Sequence, residues 1–335
     1  MTDSIKVVLD AMGGDYAPAE VVKGGIEALA KSDSLYLYML GDETAVKVEL
    51  DKYEYDHSRV SVIHCSETVE MSEPPVQAVM KKKDSSIVKG MLMVHRGEAQ
   101  AFVSAGSTGA VLVGGQTKVG RLKGVERPPL APLIPTDNER GCSLLIDCGA
   151  NVDARPSMLV QFAKMGSIYM ESVMGIASPT VGIVNIGAEE EKGNALVKET
   201  YPLLKECEDI NFIGSIEARD IPSGVADVVV CEAFTGNIIL KMYEGVALTL
   251  IDKIKAGMMS NLRSKIGALL VKPALKKTLK SFSMEQYGGA PMLGLNGLVV
   301  KTHGNSKSVE ICNSILQCEQ FEKQKINEKI RQRLS

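Results

Sequence analysis

The residues best suited to chemistry lie in one short turn that is rich in glycine and hydroxyl side chains. Residues 104–110 read Ser-Ala-Gly-Ser-Thr-Gly-Ala. Glycines allow positive φ and expose consecutive backbone N–H groups, and a helix that begins there adds a partial positive charge. Such a turn can hold an anion, although it can also serve only to connect a strand to a helix. Four of its residues are predicted to surround a phosphate-sized anion: Gly106, Ser107, Thr108 and Gly109.

Other turns also place glycines, aspartates or asparagines at the ends of apolar runs. They span residues 10–15, 147–151, 185–193 and 234–237. Each aspartate could instead cap a helix or bind its own turn. Together with the first turn they supply further candidates for a substrate site: Asp10, Asp15, Asp147, Asn151, Gly187, Gly193, Gly236 and Asn237.

Lys192 is the candidate cation of this set. It stands between the three glutamates at 189–191 and Gly193, at a predicted helix start. A lysine there can pair with phosphate or with a developing oxyanion. The alternative is a solvated lysine paired with one of the glutamates. His64 and His303 end predicted strands, and each fits either acid–base chemistry or a structural role.

Strands and helices that alternate along the chain must position these turns. Most of the apolar runs are separated by 12–25 residues of helical periodicity. This pattern predicts an α/β fold with a mostly parallel sheet flanked by helices, in one large catalytic unit over residues 1–335. Ligands of open parallel sheets bind at the carboxyl ends of strands, so the turns are expected to converge on one crevice. The predicted strands are residues 5–9, 35–40, 60–64, 101–104, 144–147, 181–186, 228–231 and 298–301.

Composition excludes several classes of protein. A net charge of −3 over 335 residues argues against nucleic acid as a partner. The seven cysteines form no CxxC pair, so neither a disulfide framework nor a zinc site is indicated. No leader or run of 18 apolar residues is found, which predicts a cytoplasmic chain that does not span a membrane. GxxxxGK[ST] and GxGxxG motifs are lacking, so P-loop and Rossmann nucleotide sites are not expected.

Taken in order, the turns resemble those of the PlsX family, the bacterial acyl-ACP:phosphate acyltransferases of phospholipid synthesis. The resemblance covers almost the whole chain in register. One departure is Glu232-Ala233, which precedes Phe234 where the resemblance leads us to expect Asp-Gly, so local turn geometry is expected to differ. The segments that carry the resemblance are 10–18, 104–110, 127–132, 147–153, 189–194, 211–214, 217–220, 234–237 and 287–290.

The resemblance implies a fold similar to isocitrate and isopropylmalate dehydrogenases and to phosphotransacetylase, usually as a homodimer, with no metal, cofactor or nucleotide. It implies that an acyl group passes from acyl carrier protein (ACP) to inorganic phosphate. The acyl phosphate would then serve a membrane glycerol-3-phosphate acyltransferase. It also implies peripheral association with the inner face of the cell membrane.

The expected mechanism relies on binding groups more than on a proton shuttle. Phosphate is already an oxyanion, and the leaving thiol has a pKa near 8.5, so neither a covalent intermediate nor a strong acid is required. Orientation can contribute roughly 7–11 kcal/mol, against ~3–5 for a single general base. We therefore expect Lys192 to neutralise charge, Asn151 and Asn237 to donate to the reacting carbonyl, and Asp10 and Asp15 to fix loops or orient phosphate.

A basic amphipathic segment is predicted at about 253–280, where eight Lys or Arg occur without an Asp or Glu. Pro273 is expected to interrupt its helix. Such a surface could dock the acidic carrier protein or lie on an anionic bilayer, or its apolar stripe could pack on the core or a dimer partner. The residues assigned to this contact are Leu262, Arg263, Lys265, Ile266, Leu269, Leu270 and Lys272.

Two other functions are compatible with parts of the sequence. A decarboxylating 2-hydroxyacid dehydrogenase of the related fold would need metal-binding aspartates and a nicotinamide site. A non-catalytic membrane scaffold for lipid enzymes would leave the polar glycine turns without a purpose. The motifs favour the acyltransferase over both.

Overall fold

The computed structural model describes residues 4–334, except for the side chains at positions 280, 281, 284 and 285. The strands are β1 (Ile5–Asp10), β2 (Leu35–Gly41), β3 (Val60–His64), β4 (Ala101–Ser104), β5 (Leu133–Pro135), β6 (Cys142–Ile146), β7 (Thr180–Asn185), β8 (Asn211–Glu217), β9 (Val228–Val230), β10 (Ala290–Met292) and β11 (Leu298–Lys301). The helices are α1 (Ala19–Lys31), α2 (Glu43–Leu50), α3 (Pro75–Lys81), α4 (Ser86–His95), α5 (Thr108–Gly114), α6 (Pro156–Val173), α7 (Ala195–Lys205), α8 (Ala233–Met258), α9 (Leu262–Ser281), α10 (Ser308–Lys323) and α11 (Ile326–Leu334). A π-helical stretch follows α5 at Gly115–Val119, and 3₁₀ turns lie at His57–Arg59, Ala218–Ser223 and Met284–Tyr287.

The strands form two mostly parallel sheets rather than one. The first has the order β10-β11-β4-β1-β2-β3, and the second has the order β5-β6-β9-β7-β8. Only the pairs β10–β11 and β5–β6 are antiparallel among the named pairs. The second sheet is built from the middle of the chain, and the last two strands return to the first sheet. The predicted α/β class with helix-flanked, mostly parallel strands is therefore confirmed, while the expectation of a single sheet was wrong.

All eight predicted strands are present, within one or two residues at their ends. β5, β8 and β10 were not predicted. β5 and β10 have three residues each and pair antiparallel at sheet edges, so they carry too little pattern to be recognised. β8 contains Gly214 at positive φ and a register shift against β7, which breaks the apolar run expected of a buried strand.

Several helices are capped at their first turn by the side chain of the polar residue that precedes them. Asp42 accepts a hydrogen bond from the Ala45 N–H at the start of α2, and Asn194 accepts one from the Val197 N–H at the start of α7. Each cap satisfies a backbone donor that the helix itself leaves unpaired. Glu232 does the same for α8, because its carboxylate accepts from the N–H groups of Phe234 and Thr235. The local departure expected at Glu232 is thus a helix cap.

The two sheets are joined by an antiparallel crossing of two loop segments. The Ala131 N–H donates to the Pro291 carbonyl at 3.0 Å, and the Leu293 N–H donates to the Pro129 carbonyl at 3.1 Å. Buried apolar residues of both sheets also belong to the same core clusters. The crossing therefore fixes the carboxyl ends of β1, β4 and β11 relative to those of β6 and β9.

α8 and α9 form a pair of long helices with many exposed apolar side chains. α9 continues through Pro273, so the expected interruption there was wrong; the chain breaks instead between Met258 and Leu262. Leu269 and Leu270 are 71% and 77% exposed, so in this chain they do not pack on its own core. Within the described part of the chain, no helix is long and apolar enough to cross a membrane.

Candidate active site

A cleft of about 320 Å³ lies between the carboxyl ends of the two sheets. The first sheet contributes the residues that end or follow β11, together with Thr108 at the start of α5. The second contributes the turn after β6 and the first turns of α8. This is the edge at which ligands of parallel sheets bind. The polar or charged lining residues are Thr108, Asn237, Lys241, Lys301, Thr302, His303 and Glu310.

A buried carboxylate at the end of β1 organises the loops of the first sheet. Asp10 accepts hydrogen bonds from Ser86 Oγ at 2.5 Å and from Ser104 Oγ at 2.6 Å. Burial raises the pKa of the Asp10 carboxyl, and the bonds from Ser104 and Ser86 oppose that rise. Asp10 thus joins the end of β1 to the end of β4 and to the first residue of α4.

The loop that follows Asp10 contacts the loop after β11. The exposed Asp15 donates its backbone N–H to the Gly304 carbonyl at 2.7 Å. Gly14 has φ of 100°, a conformation that residues with a side chain rarely adopt. This bond holds Asp15 beside Gly304, which lines the cleft. Asp15 therefore lies near the cleft but does not line it.

The predicted phosphate turn is largely occupied by its own hydrogen bonds. The Gly106 N–H donates to Ser104 Oγ at 3.0 Å, and Ser107 Oγ accepts from the Ala110 N–H as the cap of α5. Gly109 packs against Pro75 closely enough that a Cβ would lie 2.4 Å from the proline ring. Of the four predicted residues, Thr108 is the one that lines the cleft.

A second buried carboxylate shapes the opposite side of the cleft. Asp147 accepts from the N–H groups of Leu130, Gly149 and Ala150 at 3.0–3.1 Å. It also accepts from both the backbone N–H and the side-chain amide of Asn151, at 2.8 Å each. Burial raises the pKa of Asp147, and these donors oppose that rise. The Asp147 carboxylate therefore stabilises the turn, because its hydrogen bonds go to Leu130 and to the turn residues 149–151.

Asn237 has an amide that faces the cleft, whereas the amide of Asn151 is already bonded. Asn151 Nδ2 donates to the Pro128 carbonyl as well as to Asp147, which uses both of its hydrogens. Among the described residues, Asn237 Nδ2 donates only to the Cys148 carbonyl, at 3.3 Å, which leaves one hydrogen for a ligand. A Cβ on Gly236 would lie 1.9 Å from the Asp147 carbonyl oxygen, so only glycine lets α8 bring Asn237 this close.

Lys192 lies beyond the cleft, after β7. Its ammonium pairs with Glu189 Oε1 at 2.8 Å, and the side chain is about half exposed. Glu189 also raises the pKa of Lys192. The surrounding glycines have steric roles: Gly193 has φ of 104°, and Gly187 lies against the Lys192 side chain. Lys192 thus has the glutamate partner that the sequence left open as an alternative.

Several cleft residues were missed or left undecided by the sequence. Lys301 ends β11 and Thr302 follows it, and both are buried. Lys241 lies one turn beyond Asn237 on α8. His303 Nε2 and Lys241 Nζ each lie 2.9 Å from the Glu244 carboxylate. Burial alone would raise the pKa of Glu244, but His303 and Lys241 hold it below its ordinary value. The sequence does place Lys301 at the end of a predicted strand. Nothing in the sequence, however, distinguishes this strand end from the others.

Cys148 also lines the cleft, but its thiol is not activated. The residue is 1% exposed, and burial together with the Asp147 carboxylate raises the pKa of its thiol well above the ordinary value. The thiolate is the nucleophilic form of cysteine. The cleft therefore offers groups that bind and polarise a substrate, without a thiolate to attack it.

Comparison with solved structures shows which fold this is. A phosphotransacetylase from Streptococcus pyogenes is similar with a TM-score of 0.62 and 17% identity, covering 95% of this chain and 94% of that one. The EutD phosphotransacetylase from Staphylococcus aureus is similar with a TM-score of 0.59 and 17% identity, over 95% and 94% of the two chains. The molecule is thus an α/β protein with the phosphotransacetylase fold and a polar cleft between its sheets.

Sequence relatives identify the family within that fold. The family described as "Fatty acid synthesis protein" matches residues 5–329. A phosphate acyltransferase of Clostridium novyi is 48% identical over 98% of both chains, and one of Clostridium acetobutylicum is 45% identical over 98% of both. The chain belongs to this family, the PlsX phosphate acyltransferases, as the motif resemblance predicted.

Proposed function

We propose that this protein transfers a fatty acyl group from acyl carrier protein to inorganic phosphate and so forms an acyl phosphate and free carrier thiol. The observation that carries the proposal is the cleft at the carboxyl ends of both sheets, in a chain of the phosphate acyltransferase family. Its lining combines ammonium groups, hydroxyls and the Asn237 amide. These are the groups that bind a phosphate and a thioester carbonyl.

The reaction needs no covalent enzyme intermediate. A phosphate oxygen attacks the thioester carbonyl carbon, a C–O bond forms, and the carbonyl oxygen becomes an oxyanion. Collapse of that tetrahedral species breaks the C–S bond, and the carrier thiolate leaves and takes up a proton. Asn237 Nδ2 has a hydrogen free to donate to the oxyanion, and Thr108 lies on the opposite side of the cleft.

Lys192 is proposed to reach the substrate from beyond the cleft, after release from Glu189. The pair is exposed to solvent, which screens its charges, so breaking it costs little. Lys192→Ala is expected to lower turnover, whereas Lys205→Ala, which removes a lysine paired with neighbouring Glu190, is expected to leave it unchanged. Turnover that is normal in correctly folded Lys192→Ala would remove the lysine from the mechanism.

The decisive assay measures thiol release from purified palmitoyl-ACP with and without phosphate. Hydroxylamine should trap the product as a hydroxamate only when phosphate is present. Thiol release without phosphate would indicate a thioesterase instead. An absorbance change with NAD and a 2-hydroxyacid would support the dehydrogenase alternative, which the comparisons do not favour.

We further propose that α9 brings the protein to an anionic membrane surface. Apolar and basic side chains share the exposed surface of this helix, a composition typical of helices that lie at the interface. The exposed apolar residues include Leu262, Ile266, Leu269 and Leu270. Arg263, Lys265 and Lys272 beside them are proposed to contact lipid headgroups or the acidic carrier protein. Product would then be released close to a membrane glycerol-3-phosphate acyltransferase.

Vesicle flotation tests this proposal. The wild type should float with vesicles containing anionic lipid, and Leu269→Glu/Leu270→Glu should not. Leu203→Glu is the matched control, because Leu203 is an exposed leucine on α7. Equal flotation of all three proteins would contradict a role for α9.

α8 is proposed to form the contact of a homodimer. Four of its exposed apolar residues recur at every fourth position, which places them along one side of the helix. They are Ile238, Met242, Val246 and Leu250. Met242→Glu should therefore shift the sedimentation coefficient towards that of a monomer. We also propose that the isocitrate and isopropylmalate dehydrogenases share this fold, as the motif resemblance implies.

A further inference from the structure

A buried lysine, Lys301, lines the cleft. Lys301 is the last residue of β11 and is 7% exposed, yet it lines the cleft together with Thr302. Their position is fixed, because the Thr302 N–H donates to the Ser104 carbonyl at 3.0 Å. A buried charge is costly unless it is paired, so its partners determine what it can bind.

In the described part of the chain, the hydrogen bonds of the Lys301 ammonium go to backbone carbonyls. Nζ donates to the carbonyl oxygens of Ala105, at 3.5 Å, and of Thr302. An ammonium has three hydrogens, so one is left, and no carboxylate of the described residues bonds to it. Glu310, which lines the same cleft, accepts instead from Ser306 Oγ and the His303 N–H.

The neighbouring hydroxyl is also unsatisfied. Thr302 is 2% exposed, and its Oγ1 has no hydrogen-bond partner among the described residues. A buried hydroxyl without a hydrogen-bond partner destabilises the folded protein. A ligand that accepts from both this hydroxyl and the ammonium would remove both penalties.

We propose that Lys301 and Thr302 bind inorganic phosphate in the cleft, with one phosphate oxygen on Lys301 Nζ and another on Thr302 Oγ1. The proposal rests on the phosphate acyl transfer proposed above and identifies where the nucleophile sits. Phosphate supplies two acceptor oxygens and the negative charge that the lysine lacks. Asn237 across the cleft then serves the thioester carbonyl.

Binding of phosphate without acyl-ACP tests the proposal directly. Isothermal titration with inorganic phosphate should show affinity about 10- to 100-fold weaker in Lys301→Met and Thr302→Val than in the wild type. Thr302→Ser, which keeps the hydroxyl, should restore most of it. Lys52→Met removes an exposed lysine after α2 and should bind like the wild type.

The pH dependence gives a second readout. Burial lowers the pKa of Lys301 to about 8, against the opposing influence of Glu310, Asp10 and Asp15, and with Lys241 lowering it further. The charged ammonium binds the anion, so wild-type affinity should fall as pH rises through about 8. Lys301→Met should lack that fall.

The outcomes separate this inference from the proposed function. Phosphate-dependent thiol release by the wild type, with unchanged phosphate affinity in folded Lys301→Met, would overturn the inference alone. A variant that binds phosphate normally but has a lower kcat would overturn it too, because the lysine would then act on the transition state. Weaker binding in the variant while the wild type releases no thiol would keep the anion site and reject the acyl transfer.

Discussion

Cys148 illustrates how a residue's surroundings decide whether it can react. It lines the cleft, but burial and the Asp147 carboxylate raise the pKa of its thiol. We expect Cys148→Ala to keep turnover within about three-fold, since phosphate attacks the thioester directly. Iodoacetamide should also leave the acyl transfer rate unchanged over the time of an assay.

A covalent route predicts the opposite result. If Cys148 formed an acyl-enzyme, its removal would cost several orders of magnitude in rate. Denatured enzyme from a reaction lacking phosphate would then carry labelled acyl groups on this cysteine. Mass spectrometry of the peptide containing Cys148 distinguishes the two mechanisms.

The sequence predicted where the chemistry lies better than which side chains perform it. Asp147 and Asn151 are at the predicted edge, but their polar atoms bond to each other and to their own turn. Lys301 was missed because its burial depends on contacts with residues about 200 positions away, such as Ala105 at 3.5 Å. A local pattern reports strand ends, whereas hydrogen-bond occupancy is set by tertiary packing.

At the scale of elements, the approach of α8 to the β6 turn determines the shape of the cleft. Gly236 lies in the first turn of α8, and a Cβ there would come within 1.9 Å of the Asp147 carbonyl oxygen. Gly236→Ala must therefore push the helix away from the turn, and Asn237 with it. We expect the activity to fall by at least about ten-fold, because small displacements of binding groups are costly.

A matched control uses a glycine on the same helix. Gly245 has open space around the position of a Cβ, so Gly245→Ala should leave activity unchanged and slightly stabilise α8. Thermal unfolding checks that Gly236→Ala is folded. Full activity of a folded Gly236→Ala protein would show that the contact is not needed.

Helix and strand positions were predictable for physical reasons that also explain the exceptions. Buried parallel strands are continuous apolar runs, so all eight predicted strands were found. The interruption that the sequence predicts at Pro273 lies instead before α9, at the Ser260-Asn261 pair. Asn261 Oδ1 in fact accepts from the Ser264 N–H and caps α9.

Contacts in the core, away from the cleft, hold the two sheets together across the whole molecule. Helix α6, which carries Tyr169, packs against the second sheet, and helix α10, which carries Gln317, packs against the first. The two side chains meet in the core, where Gln317 Nε2 donates to the Tyr169 hydroxyl at 2.7 Å. The shared apolar clusters and the crossing at Ala131 add to this link. We therefore propose that the chain unfolds as one catalytic unit.

Tyr169→Phe tests whether the chain unfolds in one cooperative step. It removes one hydroxyl from a fully buried site and leaves the Gln317 amide without that acceptor. The loss should cost about 1–3 kcal/mol and lower Tm by roughly 2–6 °C. Scanning calorimetry should show a single transition that moves as a whole, while Tyr16→Phe, at an exposed tyrosine, should not move it. Two transitions, of which only one responds to Tyr169→Phe, would mean that the sheets unfold independently, and the cleft between them would then be free to open without loss of either core.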